Sequence, residues 1–172
     1  MQHGFVIPFP VVDDSLVIAG QPLKQLHARA DHTPFYVYDK QMIQDRIHLL
    51  RQVIPEEIKL LYAVKANPMP ELVACMLKWT DGLDVASSQE LELANTLGAA
   101  SECISLAGPG KKPDELLLAL KSGVLINVES ALELQRIAAL SKKHKLASRI
   151  ALRINPDFEL KSSGMRMGGG AK

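Results

Sequence analysis

The sequence is short of cysteine and of long apolar runs. Its two cysteines, Cys75 and Cys103, form no CxxC pair. Neither a disulfide framework nor a zinc site is therefore indicated, and both are predicted to be small buried apolar residues. The apolar runs, such as 116–120, fall far below the roughly 20 residues that a membrane span requires. The sequence thus predicts no membrane segment.

An excess of one charge is also missing. Lysine and arginine number 20 against 19 acidic residues, and the aromatic residues are one tryptophan, three tyrosines and four phenylalanines. A chain with so balanced a charge and so few aromatic rings is not expected to bind nucleic acid. The five histidines lack the spacings of metal ligands, so no metal site is predicted. Residues 1–12 have no basic segment of the secretory kind, and we expect a cytoplasmic protein.

Residues 1–40 consist of short extended pieces separated by turn residues. The apolar pieces at 11–12, 16–19 and 35–38 predict hairpin-like strands. Apolar residues then recur every three or four positions from Ile43 to Ile54, which predicts a helix over 41–54 that Pro55 ends.

From residue 59 the chain repeats a short apolar run followed by a helical segment. The runs begin 21 to 24 residues apart and predict strands at 59–64, 82–86, 103–107, 124–128 and 148–154. Helix starts are marked by Pro70, by Ser87 with Glu90, by Pro113 and by Ser130 with Glu133. The spacing therefore predicts a strand, a short loop and a helix in each repeat.

Repeated βα units with apolar strands belong to an α/β protein, either a doubly wound parallel sheet or a (β/α)8 barrel. A complete barrel typically needs about 250 residues. Five strands, the last followed by a polar, glycine-rich tail, are better explained by an incomplete barrel of about five units. We therefore expect residues 41–172 to be the truncated N-terminal part of such a barrel.

One lysine stands out within these repeats. Lys65 follows the apolar run at 59–64, and active sites of both α/β architectures collect at the carboxyl ends of the strands. Apolar surroundings favour the neutral amine, which is the form that attacks a carbonyl group. Schiff-base chemistry is the functional prediction for Lys65. The alternative is a strand-end lysine that extends its ammonium group into water.

Two glycine-rich stretches are weaker signals. Residues 108–112 (GPGKK) depart from the phosphate-binding Walker pattern and are interpreted as a turn between a strand and a helix. Residues 168–170 are three glycines, and no function is assigned to them.

The stretch 62–67 (YAVKAN) around Lys65, followed by 84–87 (DVAS), resembles the cofactor-lysine region of the fold type III pyridoxal phosphate decarboxylases, the diaminopimelate and ornithine decarboxylase family. The resemblance covers essentially the whole chain. The opening and the tail of the chain are closest to the subgroup associated with exosortase and exopolysaccharide gene systems. The matching stretches are 62–67 (YAVKAN), 84–87 (DVAS), 90–91 (EL), 108–111 (GPGK), 115–116 (EL), 127–130 (NVES), 133–134 (EL) and 151–156 (ALRINP).

This resemblance implies a function for three residues. Lys65 matches the lysine that forms a Schiff base with pyridoxal phosphate, Asp84 the acid near that Schiff base, and Arg153 the arginine of the cofactor's polar network. For Asp84 the alternative is an acid at a helix N-terminus, and for Arg153 an ion pair at a strand end. Residues 1–40 would contribute strands to the family's second, β domain.

The resemblance also implies what the protein acts on and what lies elsewhere. The full-length protein would decarboxylate an amino acid as a homodimer with a shared active site. The family's ring-stacking histidine, phosphate loop and C-terminal substrate residues would lie beyond Lys172, so residues 1–172 alone are predicted to be inactive. An alanine racemase relative fits less well, because that family continues differently after its lysine. The alternative outside enzymes is a non-catalytic pyridoxal phosphate homeostasis or regulatory protein.

Overall fold

A computed structural model describes residues 9–154 of the chain, which divides into two compact units, Met1–Glu56 and Glu57–Lys172. The sequence predicts a boundary at residue 40, whereas this division groups the helix Lys40–Val53 with the N-terminal unit. No helix in the described part of the chain is long and apolar enough to cross a membrane.

The N-terminal unit holds a small antiparallel sheet in the order β1-β2-β3. Asp13 and Asp14, between β1 and β2, both have positive φ, as do Ala19 and Gly20 between β2 and β3. Positive φ at both central residues is the geometry of tight hairpin turns that match the twist of the strands. The predicted hairpin at the start of the chain is therefore present. The elements are β1 (Val11–Val12), β2 (Ser15–Ile18), β3 (Gln21–Pro22), α1 (Leu23–Arg29) and α2 (Lys40–Val53).

Two details of this unit differ from the prediction. The strand expected at 35–38 is wrong: the segment belongs to no strand or helix and pairs with no described strand, and Tyr36 is 91% exposed. Helix α1 is not predicted, because it buries no residue and shows no apolar stripe. Helix α2 lies where expected, and its first turn is capped by the Asp39 carboxylate, which accepts from Gln41 N and Met42 N.

The second unit alternates strands and helices around one parallel sheet. All five predicted strands are present, within three residues of the expected starts. The elements are β4 (Leu61–Ala63), α3 (Pro70–Trp79), β5 (Gly82–Val85), α4 (Ser88–Thr96), β6 (Ile104–Leu106), α5 (Pro113–Ser122), β7 (Leu125–Val128), α6 (Ala131–His144) and β8 (Arg149–Leu152), with short 3₁₀ turns at Val64–Ala66 and Ser101–Cys103.

The strand order decides between the two architectures that the sequence allows. Each strand pairs in parallel with the next one along the chain, in the order β4-β5-β6-β7-β8. A doubly wound sheet reverses its strand order at a switch point, whereas a barrel adds each strand beside the last. The unreversed order is that of a barrel of which five strands and the four helices between them are described.

The two faces of the sheet differ in chemistry. One face packs on the helices and forms the apolar core, with side chains from β5, β6 and β7 meeting those from α3 to α6. The opposite face presents polar residues on three neighbouring strands: Asp84 is in register with Ser105, and Asn127, two residues beyond the register partner of Ser105, donates to the Ser105 hydroxyl. The core residues are Val64, Val73, Leu83, Val85, Leu91, Ala94, Ile104, Leu106, Leu116, Ala119, Leu120, Val124, Ile126, Val128 and Ile137.

Gly82 allows β5 and β6 to approach each other closely. A Cβ atom at this position would lie 1.9 Å from the carbonyl oxygen of Cys103. Glycine is therefore required at the start of β5 by the backbone of the neighbouring strand.

The two cysteines differ from the prediction in burial. Cys103 and Cys75 are both free thiols and are half-buried, not buried as predicted.

Candidate active site

Lys65 lies at the carboxyl edge of the sheet, on a 3₁₀ turn directly after β4. The turn is anchored by Val64, which is fully buried in the core. Asn67 closes it: Asn67 N donates to Val64 O (3.1 Å), and Tyr62 Oη donates to Asn67 O (3.0 Å). The Asn67 side chain in turn accepts from Met69 N just before α3. These contacts hold the backbone on both sides of Lys65.

The surroundings of Lys65 differ from the expectation. The sequence predicts apolar surroundings, whereas the side chain of Lys65 is exposed among the described residues. The reason is that β4 is an outer strand of the described sheet and has β5 as its neighbour there on one side only. No described residue forms a hydrogen bond or ion pair with the Lys65 amine, so the group is available to a ligand.

Asp84 lies in the middle of β5, one strand away from the lysine turn. It is in register with Ala63, two residues before Lys65, and is half-buried on the polar face of the sheet. Its neighbours Leu83 and Val85 point into the core, so the Asp84 side chain faces away from the helices. The helix-terminal interpretation is thereby disfavoured, because α4 is capped by Ser87. The Asp84 carboxylate, too, has no hydrogen-bond or ion-pair partner in the described part of the chain.

Ser105 and Asn127 continue the polar face beyond Asp84. Asn127 Nδ2 donates to Ser105 Oγ (2.7 Å) and lies 3.3 Å from Leu106 O. This bond fixes the amide across β6 and β7. Neither residue was assigned a function from the sequence: Asn127 entered only as part of the matching stretch 127–130, and a single serine within an apolar strand carries no distinctive spacing.

Arg153 follows β8 and reaches back across one strand. Its backbone N donates to Val128 O (2.9 Å), and its Nη1 lies 3.2 Å from Glu129 Oε1. The strand-end ion pair considered for Arg153 is therefore present. The Arg153 side chain is nevertheless half exposed. Lys65 thus follows β4, Asp84 lies in β5 and Arg153 follows β8, three strands further along the sheet, and all three lie at or near the carboxyl edge.

The 108–112 segment is a turn between β6 and α5, as the sequence predicts, but one of its lysines is buried. Lys111 Nζ lies 3.0 Å from Glu133 Oε1, with side-chain exposures of 3% and 8%. The ammonium group also donates to Gly108 O. A lysine so deeply buried requires a partner, and Glu133 supplies it.

Glutamates in the first turns of the helices tie the loops of this edge together. Glu90 accepts from Ala86 N and Glu133 from Glu129 N, each at 2.8 Å. Glu115 accepts from Lys112 N (2.9 Å) and from Ser88 N (3.3 Å), which joins the loops before α4 and α5. The Ser-x-x-Glu signals of the sequence located Glu90 and Glu133, but not the buried charge pair.

Comparison with known protein families gives a match that covers most of the chain. The family described as pyridoxal-dependent decarboxylase, pyridoxal binding domain, matches residues 40–172. The chain belongs to this family.

Individual relatives agree with the family match. The chain is 40% identical over 138 residues to the L-glutamyl-[BtrI acyl-carrier protein] decarboxylase of Niallia circulans, covering 80% of this chain and 32% of that protein. It is also 40% identical over 151 residues to the diaminopimelate decarboxylase of Aquifex aeolicus, covering 87% and 36%. This chain thus spans about a third of the length of these curated relatives.

Among solved structures, the diaminopimelate decarboxylase of Helicobacter pylori complexed with L-lysine superposes with a TM-score of 0.72. The match has 30% identity and covers 83% of this chain and 36% of that one. The fold class predicted from the repeats, a partial (β/α) barrel accompanied by a separate antiparallel sheet, is confirmed. Pyridoxal phosphate is the cofactor of the family.

Proposed function

We propose that this chain is the cofactor-lysine part of a pyridoxal phosphate-dependent amino-acid decarboxylase, and that Lys65 binds the cofactor. The observation that supports this most directly is a lysine amine without a partner among the described residues, on a turn whose backbone is held on both sides. The carboxyl edge of a barrel is where such an amine would meet a ligand. An aldehyde cofactor fits this edge because it needs an accessible amine and nearby charged groups.

Three side chains would hold the cofactor. The Lys65 amine would attach to its aldehyde carbon. The Asp84 carboxylate, one strand away, would stabilise positive charge and hold a proton near that nitrogen. The Arg153 guanidinium would donate to cofactor oxygens with the part of the group that faces away from Glu129. Bound pyridoxal phosphate supplies an electron sink for the pair left behind when a carboxylate departs as carbon dioxide.

The substrate class is an amino acid that loses its carboxyl group. Two relatives of equal identity are named for different substrates, diaminopimelate and a glutamyl group on a carrier protein. The part of the chain that carries Lys65 therefore does not choose between substrates. We place the protein in the exosortase-associated subgroup, in the cytoplasm, as a homodimer whose active site is completed by residues outside 1–172.

The proposal is tested by mapping the lysine that captures the cofactor. The protein expressed from its complete gene is incubated with pyridoxal phosphate, reduced with borohydride and digested. We expect the cofactor mass on the peptide that contains Lys65, and its loss in Lys65→Ala. Lys59→Ala removes another exposed lysine, before β4 at the opposite edge of the sheet, and should leave labelling unchanged. Labelling of another lysine, or none, would refute the assignment.

Carbon dioxide release separates the two classes of function. Wild-type protein that is labelled on Lys65 is supplied with diaminopimelate, ornithine, lysine, arginine and carrier-bound glutamate. Release from one of them, abolished by Lys65→Ala, identifies the enzyme and its substrate. Labelling without release from any would instead indicate the non-catalytic cofactor-binding protein.

A further inference from the structure

Glu129 occupies a junction between three loops at the carboxyl edge. Its Oε1 atom accepts from Gly108 N (2.9 Å), in the loop after β6, and lies 3.2 Å from Arg153 Nη1, after β8. The Glu129 side chain is 14% exposed and the Arg153 side chain 50% exposed. One carboxylate oxygen therefore joins a backbone amide on one side to a guanidinium group on the other.

The position of Glu129 is itself set by buried groups. Its backbone N donates to Glu133 Oε2 (2.8 Å), and Glu133 Oε1 pairs with Lys111, whose ammonium group donates to Gly108 O. Gly108 then returns to Glu129 through its N–H. The contacts form a closed ring, and Arg153 is attached to it from outside.

This arrangement restricts a side chain that would otherwise be mobile. A half-exposed arginine samples many rotamers, and an ion pair of that exposure contributes little to the stability of the fold. The value of the contact therefore lies in where it keeps the guanidinium group. The carboxylate is held on the ring, so the ion pair favours those rotamers of Arg153 that bring Nη1 beside it.

We propose that Glu129 is a positioning residue, which holds the Arg153 guanidinium in place for pyridoxal phosphate while the Lys111–Glu133 pair holds Glu129. This inference rests on the function proposed above for Arg153. Glu129 does not need to touch the cofactor. Its contribution is to make the donor groups of Arg153 available in one orientation before the cofactor arrives.

A double-mutant cycle on cofactor binding tests the inference. Glu129→Gln keeps the size of the side chain and an oxygen for Gly108 N, and removes only the charge that holds Arg153. Arg153→Met removes the guanidinium group. The dissociation constant for pyridoxal phosphate is measured by absorbance on the cofactor-free protein from the complete gene, for both variants, the double variant and Glu92→Gln. Glu92 is an exposed glutamate of α4 and serves as the matched control.

We expect Glu129→Gln to weaken binding about three- to tenfold, a range typical of residues in one network. Arg153→Met should weaken it at least as much, the double variant should equal Arg153→Met, and Glu92→Gln should match wild type. The unfolding midpoint of the cofactor-free protein should be nearly the same in Glu129→Gln as in wild type. A general structural defect would instead lower this midpoint. Glu129→Asp, which retains the charge, should recover part of the affinity.

The other outcomes overturn the inference in distinguishable ways. If Arg153→Met binds like wild type, the function proposed for Arg153 fails and the positioning of Arg153 fails with it. In a second outcome, Arg153→Met weakens binding, and Glu129→Gln weakens it by the same factor in the wild type and in Arg153→Met. Glu129 then acts independently of Arg153, and only the positioning proposal fails. A lowered unfolding midpoint in Glu129→Gln, without coupling to Arg153, would show a structural residue instead. Labelling of Lys65 is unaffected in all three cases.

Discussion

Replacing Lys111 with methionine removes a buried positive charge while keeping an unbranched apolar stem of similar length. Glu133 then retains its bond from Glu129 N but loses its ion-pair partner 3.0 Å away, in a place where its side chain is only 8% exposed. Gly108 O loses a donor as well. Breaking a buried ion pair by removing one partner typically costs about 3–5 kcal/mol, because the remaining charge stays desolvated. We expect Lys111→Met to lower the free energy of unfolding by that amount.

The size of this loss depends on the charge left behind, which a second substitution removes. In Lys111→Met with Glu133→Gln, the amide oxygen of the new glutamine still accepts from Glu129 N, and no unpaired carboxylate remains. The double variant should then lose only about 1–3 kcal/mol, the cost of imperfectly satisfied buried polar groups. It is therefore expected to be more stable than Lys111→Met alone, although it carries one more substitution.

Equilibrium unfolding in urea of the cofactor-free protein measures both variants, with the midpoint and slope compared to wild type. Lys112→Met is the matched control, since Lys112 is adjacent and exposed. It should change stability by no more than about 0.5 kcal/mol. The reasoning is refuted if Lys111→Met lies within about 1 kcal/mol of the control, or if the double variant is less stable than Lys111→Met.

Three further substitutions test the fold. Gly82→Ala places a methyl group against the Cys103 carbonyl. It should lower the free energy of unfolding in urea by about 1–3 kcal/mol or more. An unchanged free energy of unfolding would contradict the close approach of β5 and β6. Ser130→Ala removes the cap that accepts from Glu133 N at 3.1 Å. It should lower the free energy of unfolding by about 0.5–2 kcal/mol and speed amide hydrogen exchange in the first turn of α6. Unchanged exchange would argue against the cap. Leu83→Ala opens a cavity at a fully buried position. It should lower the free energy of unfolding in urea by about 2–5 kcal/mol. A decrease below about 1 kcal/mol would contradict the burial of Leu83.

The sequence located the second unit well because its strands and helices repeat at a regular interval. Apolar runs 21 to 24 residues apart correspond to β4 through β8, and the Ser-x-x-Glu pairs correspond to the first turns of α4 and α6. The first unit was less predictable: residues 35–38 have strand composition but pair with no strand within 9–154, and α1 has no apolar stripe. Composition alone does not specify whether an extended segment will find a neighbour to pair with.

The candidate site was predictable by residue type and less so by environment. Lys65, Asp84 and Arg153 lie at or near the expected edge, but the exposure of Lys65 depends on which strands lie beside β4. The burial of Lys111 also escaped prediction, since lysine is seldom buried and its partner Glu133 is distant in sequence. Glu129 was visible only as part of a family motif, because its contacts with Gly108 and Arg153 require the folded sheet.

The unreversed strand order has a consequence for how the second unit folds. The cross-strand polar contacts of the carboxyl edge join residues 21 to 27 positions apart, which is about one repeat. Pairing any strand with its neighbour therefore closes a loop of similar length, at a similar cost in chain entropy. Assembly can therefore begin at any neighbouring pair of strands and extend one repeat at a time, as in linear repeat proteins. Within the described sheet, β6 has two strands on each side and should exchange its amide hydrogens last.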